Sequence, residues 1–463
     1  MSHTVEKVSG SSMVAFDTVL DNIILKPDHH TRYNRILVVP AYKGITDALL
    51  ENKRTYEPGV YQFLRDGDQR WEARLESVIQ RLLLVNESVF ADPMLRRKAD
   101  DFIVERVACT RRWLHHHLSR DHKPWQASNP PFWRQIRERL AAIGEAHSAY
   151  NTALKARRHG VDTKFIDLSG APHESRQSLD HQVWSKLGDV DLSNELPVVT
   201  AYAPYEANTN GESDRRYGDL TLSRIATLTA AKQAIIHKCH HLSSGDPAVI
   251  GAEHVHPVRQ SSYQMANQLS ELANDVVHPA AMKELAQQNI DLRVKCTFEP
   301  EHPGTFISHH PSSQTPKVEV VSGNENVCAL RVEVTNRNVD ISALKDAFRA
   351  LPNVTLLHQE TSATSVNHYF DCAMGDFGLI LSTTKKRFPD AEFTVQPVAL
   401  LSVLGTTLDP EPTLAMGCNA LESHGISPVS TYFSDDENCV KFVVASAQFR
   451  AALCALHDAF LAA

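Results

Sequence analysis

The sequence predicts an α/β protein in two parts: a large N-terminal part alternating strands with helices, and a C-terminal part built from a repeated smaller unit. Three observations carry this. The chain opens strand, small-residue turn, helix, strand, which is how an α/β sheet begins. Strand signals return after the long helical stretch, as far as Ala234–His237. After Pro316 the order becomes strand, helix, strand, strand, helix, strand, and then repeats.

In chain order, Thr4–Val8 reads as a short apolar strand and Ser9-Gly10-Ser11-Ser12 as a turn. A helix from Met13 to Ile24 puts Phe16, Val19, Leu20, Ile23 and Ile24 on one face. The β-branched run Arg35–Val39 is a buried strand ending in Pro40-Ala41-Tyr42-Lys43-Gly44. Thr46 to about Ala156 is helical with polar loops, including the Trp-containing loop Lys123–Phe132. Strands follow at Thr163–Leu168 and Leu196–Tyr202, then a helix at Thr221–Ala231 and a strand at Ala234–His237.

Beyond Pro316, Cys328–Val334 is a strand, Ile341–Leu351 a helix, and Val354–Gln359 and Asn367–Ala373 are strands. Phe377–Phe388 is a helix and Glu392–Val395 a short strand. The second copy runs Val398–Gly405 strand, Thr413–His424 helix, Pro428–Phe433 and Cys439–Ala445 strands, Gln448–Leu461 helix. It reaches Ala463 without a last strand, so Lys317–Ser322 is expected to fill the vacancy by interleaving the two units. The expected domains are 1–315, 316–396 and 397–463.

Of the 463 residues, 42% are hydrophobic and 22% charged, enough to bury a core and exclude disorder as the main state. The net charge is −8 with no basic block, so no nucleic-acid partner is expected. No apolar run reaches the roughly 18 residues of a membrane span. The polar stretch Met1–Lys7 lacks the pattern of a signal peptide, so a cytoplasmic location is expected. None of the eight cysteines stands at CxxC spacing, which argues for reduced thiols and against zinc. The runs His29-His30, His115-His116-His117 and His309-His310 are expected to be solvated surface, and no metal site is expected.

The common nucleotide loops, Walker A and GxGxxG, are absent. Lys7-Val8-Ser9-Gly10-Ser11-Ser12-Met13 remains: a lysine at a strand end, a small-residue turn and a helix start. Backbone N–H groups and a helix dipole attract phosphate there, and the lysine adds a point charge. A solvated turn capped by serines would give the same pattern.

Read in order, further segments carry a resemblance. Lys7–Met13 is similar to the Lys-x-Gly-Gly-Thr-Ser opening of the aspartate kinase family. Ala41-Tyr42-Lys43-Gly44-Ile45-Thr46-Asp47 resembles its Ser-Ala-x-x-Gly-x-Thr-Asp motif, and Gly144-Glu145-Ala146-His147-Ser148 its Gly-Glu-x-x-Ser helix start. Arg215-Arg216-Tyr217-Gly218-Asp219-Leu220-Thr221 stands where the family has Arg-Gly-Gly-Ser-Asp-x-Thr. Asp246-Pro247, Val277-His278-Pro279 and Glu299–Thr305 follow in family order. Glu57-Pro58-Gly59-Val60-Tyr61 and His241–Pro247 look like the branch encoded with ectoine biosynthesis. The resemblance spans essentially the whole chain. Ser9, Pro40, Ala201 and Arg216-Tyr217 depart from the family pattern, as do Asp275 and Ala280 on the nucleotide side.

The resemblance implies an amino-acid kinase fold of carbamate kinase type, an αβα sandwich, followed by two ferredoxin-like ACT domains. It implies transfer of the ATP γ-phosphoryl group, with Mg²⁺, to the β-carboxylate of L-aspartate. By family position, Lys7 and Asp219 would be catalytic, while Thr46, Glu145, Arg215, Ser11 and Ser12 would bind substrate. Lys7, Gly10, His237, Lys238, Ser243 and Asp246 would form the nucleotide side. An amino-acid effector at the ACT domains and a homodimer are also implied. A kinase of another carboxylic amino acid, or a silent ACT-domain sensor, are the alternatives.

Overall fold

The computed structural model describes residues 2–26, 32–52, 55, 57–119, 130–169, 177–203, 217–273, 277–309, 317–333, 348, 351, 354–362, 365–372, 377–387, 392–406, 408–434 and 438–461. Its strands are β1 Thr4–Val8, β2 Arg35–Val39, β3 Thr163–Ile166, β4 Leu196–Thr200, β5 Gln233–Lys238, β6 Gln260–Ser262, β7 Asp291–Cys296 and β8 Thr305–Ser308. They continue as β9 Lys317–Glu333, β10 Thr355–Thr361, β11 Ser365–Asp371, β12 Phe393–Thr406, β13 Ser430–Ser434 and β14 Cys439–Ala445. The chain divides into two compact units, Met1–His241 with Val277–His309, and Leu242–Val276 with His310–Ala463.

In the first unit the strand order is β3-β4-β2-β1-β5-β7-β8. The pairs from β3 to β7 are parallel and β8 runs antiparallel to β7. β2 and β4 are buried at every position, as expected of parallel strands covered on both faces. The chain builds outward from β1 through β2 to β4 and β3, then returns to place β5 on the other side of β1. Such a reversal leaves a crevice at the carboxyl ends of the strands, and Lys7 stands there at the end of β1.

Helices Ile45–Leu49, Val60–Arg65, Trp71–Val89, Pro93–Ser119 and Pro130–Arg158 fill the stretch between β2 and β3. Within the expected loop Lys123–Phe132, residues 123–129 lie outside the described residues, but Pro130–Phe132 begin a helix. The expected helix Met13–Ile24 is a 3-10 turn, Ser12–Ala15, an α turn, Phe16–Val19, and a π-type turn, Leu20–Leu25. Its predicted apolar face is buried throughout. The helix expected from Thr221 already includes Tyr217–Leu220 and ends at Leu228.

The second unit carries a six-stranded sheet, β10-β11-β9-β12-β14-β13, antiparallel throughout. The pairing is that of two ferredoxin-like units sharing one sheet through β9 and β12. Lys317–Ser322 and Cys328 onward are one strand, and its first half pairs with Ser402–Thr406 beside the second repeat. The two strands expected at Glu392–Val395 and Val398–Gly405 are likewise one. Pro397 is tolerated within it because β14 joins only from Val398. Helices Phe377–Arg387, Pro410–Ser423 and Phe449–Leu461 match expected segments, whereas all of the expected Ile341–Leu351 helix except Phe348 and Leu351 lies outside the described residues. Two apolar clusters form here, one around Phe442 and Leu453, the other around Phe348 and Phe370. No helix among the described residues is long and apolar enough to cross a membrane.

Candidate active site

Side chains alternate across a strand, so Glu6 and Lys7 face opposite sides of the sheet. Lys7 reaches across to the Tyr217–Leu228 helix, where its Nζ donates to Asp219 Oδ1 at 2.7 Å. Asp219 Oδ2 accepts the backbone N–H of His278 at 2.9 Å, so both carboxylate oxygens are held. Burial pushes the Asp219 carboxyl up, but Lys7, Lys238 and the His278 N–H outweigh it and keep it below the usual range. His278 is placed for this by capping the Pro279–Gln287 helix, its own Nδ1 accepting from Ala280 N–H at 3.0 Å.

Glu145 lies inside the Pro130–Arg158 helix, far from any helix start, so its charge has no capping role. Its carboxyl is buried and its Oε2 has no hydrogen-bond partner. Burial raises this carboxyl to about 8, against the pull of Lys7 and of the Tyr202 N–H that donates to it. Gly144 explains how the helix comes so close. A Cβ there would lie 2.7 Å from Ile45 Cγ2 and 3.0 Å from Ala41 Cβ, so only glycine lets the helix pack on the turn that leads into Thr46. Next to it, Ser148 Oγ donates to the carbonyl of Pro40 at 2.5 Å. His147 turns the other way, onto Asn86 Oδ1 at 2.6 Å, and burial keeps its ring neutral, with a pKa pushed down to about 3.

The turn after β1 is fixed by Ser9 N–H donating to the carbonyl of His237 at 2.8 Å. Ser9 Oγ meets Ser11 Oγ at 2.9 Å on the exposed side, which is how a side chain is accommodated at this position. Ser12 is buried, with its hydroxyl 2.9 Å from Thr297 Oγ1. A Cβ at Gly10 would meet nothing within 4 Å.

The structure thus brings Lys7, Asp219, Glu145 and Lys238 together at the strand ends. His237 belongs to the other face, where its Nε2 lies 2.8 Å from Glu6 Oε2. Thr46 sits in the first turn of Ile45–Leu49, and Arg215 lies outside the described residues. Ser243 and Asp246 are in the second unit. There Asp246 caps Pro247–Ile250 by accepting from Ala248 N–H at 2.8 Å. Gly218, the Tyr202 N–H and the His278 N–H were not singled out as site groups. Gly218 and His278 fall inside quoted motifs, but a backbone N–H leaves no mark on sequence.

A lysine held by a buried acid at a sheet's switch point, beside a small-residue turn, is the framework of a phosphoryl-transfer site. The amino acid kinase family profile matches residues 3–296, and the chain belongs to that family. Within it the chain is a member of the aspartate kinases. It is 34% identical to the aspartate kinase Ask_Ect of Stutzerimonas stutzeri (strain A1501), over 99% of this chain and 97% of that one. The aspartokinase of Schizosaccharomyces pombe is 22% identical over 47% of this chain and 44% of its own length. In fold, the chain matches E. coli aspartokinase III in complex with aspartate and ADP, with a TM-score of 0.72 and 17% identity over 99% of each chain. The lysine and aspartate complex of that protein gives 0.73 at 16% identity, again over 99% of each. An amino-acid kinase domain followed by two ACT-like units is therefore the architecture.

Proposed function

We propose that this chain transfers the γ-phosphoryl group of ATP to the β-carboxylate of L-aspartate, giving 4-phospho-L-aspartate. The observation that carries this is the pairing of a held cation, Lys7, with a buried carboxyl, Glu145, whose Oε2 is unsatisfied. A carboxylate acceptor is already ionised at neutral pH and needs no general base. What it needs is positive charge, because it must approach a triphosphate. Lys7 supplies that charge on the transferring group, and Asp219 holds it in place. Lys238, whose charge already acts on Asp219, is the second cation.

The α-ammonium of aspartate fits Glu145, whose proton it would displace. Arg215 suits the α-carboxylate by a two-pronged pair, and Thr46 adds a hydroxyl. Gly10 and Ser11 offer the phosphates a turn open to solvent. Ser12 orders that turn through Thr297. His237 supports the nucleotide side indirectly, by holding Glu6 beneath the end of β1. Around Lys7 the oxygen donors are Asp219 and Glu145, the first fully engaged, so Mg²⁺ would be held chiefly by phosphate oxygens and water. Bound in this way it supplies neutralisation of the phosphate charge.

The ACT-like units suit an amino-acid effector and a homodimer, and the expected location is the cytoplasm. The expected boundary at 315/316 is proposed for the kinase and ACT parts, whereas the one expected at 396/397 falls inside β12, the strand that both ACT-like units share. A panel of acceptors tests the reading. ADP release should depend on L-aspartate and not on L-glutamate. Release with another carboxylic amino acid and none with aspartate would reassign the acceptor. No nucleotide use with any acceptor, by folded protein that still binds an amino acid, would leave the sensor alternative.

A further inference from the structure

In the first unit a second cluster is built from residues other than those around Lys7. His241 follows β5, Cys296 ends β7 and Glu299 lies just beyond it. One ligand atom from each, an imidazole nitrogen, a sulfur and a carboxylate oxygen, all lie within 4.8 Å of one another. His241 Nε2 and Glu299 Oε2 are 3.1 Å apart, already at the spacing of two ligands on one ion. A tetrahedral Zn²⁺ ion holds its ligand atoms roughly 3.3–3.7 Å apart, so the thiol has at most little more than about an ångström to travel.

The turn around these groups is fixed. Gly304 has φ +73°, and a Cβ there would lie 2.2 Å from the carbonyl of Val294, which brings the chain back sharply from β7 to β8. His302 Nδ1 accepts the Gly304 N–H at 3.0 Å, and its ring packs on that of His241 with centroids 4.1 Å apart. Cys296 is buried and the Glu299 side chain is 62% exposed, so the cluster has a dry floor and a wet entrance.

We propose that His241, Cys296 and Glu299 bind a Zn²⁺ ion, with water in the fourth position. A nitrogen, a thiolate and one carboxylate suit zinc, whereas Mg²⁺ and Ca²⁺ want oxygen ligands alone. On binding, the Cys296 thiol gives up its proton to solvent, and the ring proton of His241 moves from the ligating nitrogen to the other one, leaving Glu299 as the carboxylate ligand. The ion ties the segment after β5, three residues beyond Lys238, to the turn after β7. The scattered cysteines argued against zinc because its ligands come from separate strands that the fold aligns.

The test uses the full chain, stripped by a chelator and titrated with Zn²⁺ and separately with Mg²⁺ by calorimetry. Co²⁺ in place of Zn²⁺ reports the thiolate by its near-ultraviolet charge-transfer band. The proposal expects a single tight Zn²⁺ equivalent, no Mg²⁺ at that site, and a Co²⁺–thiolate band. Cys296→Ser should abolish the band, and Glu299→Gln, at an exposed position, should weaken Zn²⁺ binding by about tenfold or more. If Cys296→Ser fails to fold, His241→Asn takes its place. A folded wild type with no tight equivalent, no thiolate band, or binding unchanged in both Glu299→Gln and His241→Asn overturns the proposal. Binding lost only when His115 and His116 are replaced would do the same, by assigning the ion to the histidine run.

Discussion

A methyl group on Gly218 would lie 2.5 Å from Lys7 Cε and 3.2 Å from Ala201 Cβ, so the helix that carries Asp219 leaves space for the lysine it binds. The far end of a lysine can move aside, whereas the helix cannot. Gly218→Ala should therefore cut kcat by about tenfold or more by displacing Lys7, a shift of the kind that costs positioning. Helix propensity favours alanine, so the melting temperature should hold or rise. A fall in melting temperature with kcat unchanged would contradict this role for Gly218.

Glu145, raised to about 8, makes aspartate binding depend on pH. Below that value the free site is protonated and cannot pair with an ammonium. KM for aspartate should fall as pH rises from 6 to 8, by up to roughly tenfold per unit. Glu145→Gln should raise KM and flatten its pH profile. Because the folded value exceeds the ordinary one of 4.5, the protonated carboxyl adds stability that is complete below about 4.5 and lost as pH rises through about 8. Glu145→Gln should accordingly gain stability over wild type across that window, measured by urea unfolding at pH 5 and pH 9. Equal shifts at both pH values would argue against a raised carboxyl.

On the opposite face of the sheet, Glu6 is buried between Arg35 Nη1 at 3.3 Å and His237 Nε2 at 2.8 Å. Burial raises its carboxyl, but Arg35 and His237 prevail and lower it to about 2. Its stabilisation is present above the ordinary value of 4.5 and is lost as pH falls through about 2. Glu6→Gln leaves Arg35 unpaired in the interior, and should cost about 3 kcal/mol at pH 7. The difference from wild type should shrink steadily as unfolding is measured from pH 5 downward.

In the second unit, a Cβ at Gly405 would lie 2.0 Å from the carbonyl of Lys317. That contact is backbone to backbone between β9 and β12 and cannot be relieved by a rotamer. Gly405→Ala should destabilise this unit by about 2 kcal/mol or more. The same glycine precedes the Pro410–Ser423 helix of an ACT-like unit, the part proposed to take an amino-acid effector. Loss of effector response with stability intact would assign it to ligand binding and not to strand pairing.

The central strands were legible because parallel strands covered on both faces must be apolar at every position, as in Arg35–Val39 and Leu196–Thr200, whereas β7, buried only at alternate positions and carrying Asp291, Arg293 and Lys295, was not read, nor were β6 and β8. That Lys7, Glu145 and Asp219 would lie near one another was legible through family spacing. Their partners were not, since the N–H groups of Tyr202 and His278 belong to the backbone and meet the carboxyls only after folding. Pattern could not show which side of the sheet His237 would take, because a one-residue offset decides it. Likewise Pro397 read as a break between two strands because the sequence does not show where β14 joins β12.

The central claim is that Lys7, held by Asp219, neutralises charge during transfer to a carboxylate. Its most direct measurement is ATP-dependent formation of aspartyl hydroxamate from L-aspartate, Mg²⁺ and hydroxylamine, comparing wild type with Lys7→Ala. The account predicts hydroxamate from the wild type and a loss of about a hundredfold or more in the variant, with the melting temperature nearly unchanged. No hydroxamate from folded wild type, or equal rates in the two proteins, would contradict it.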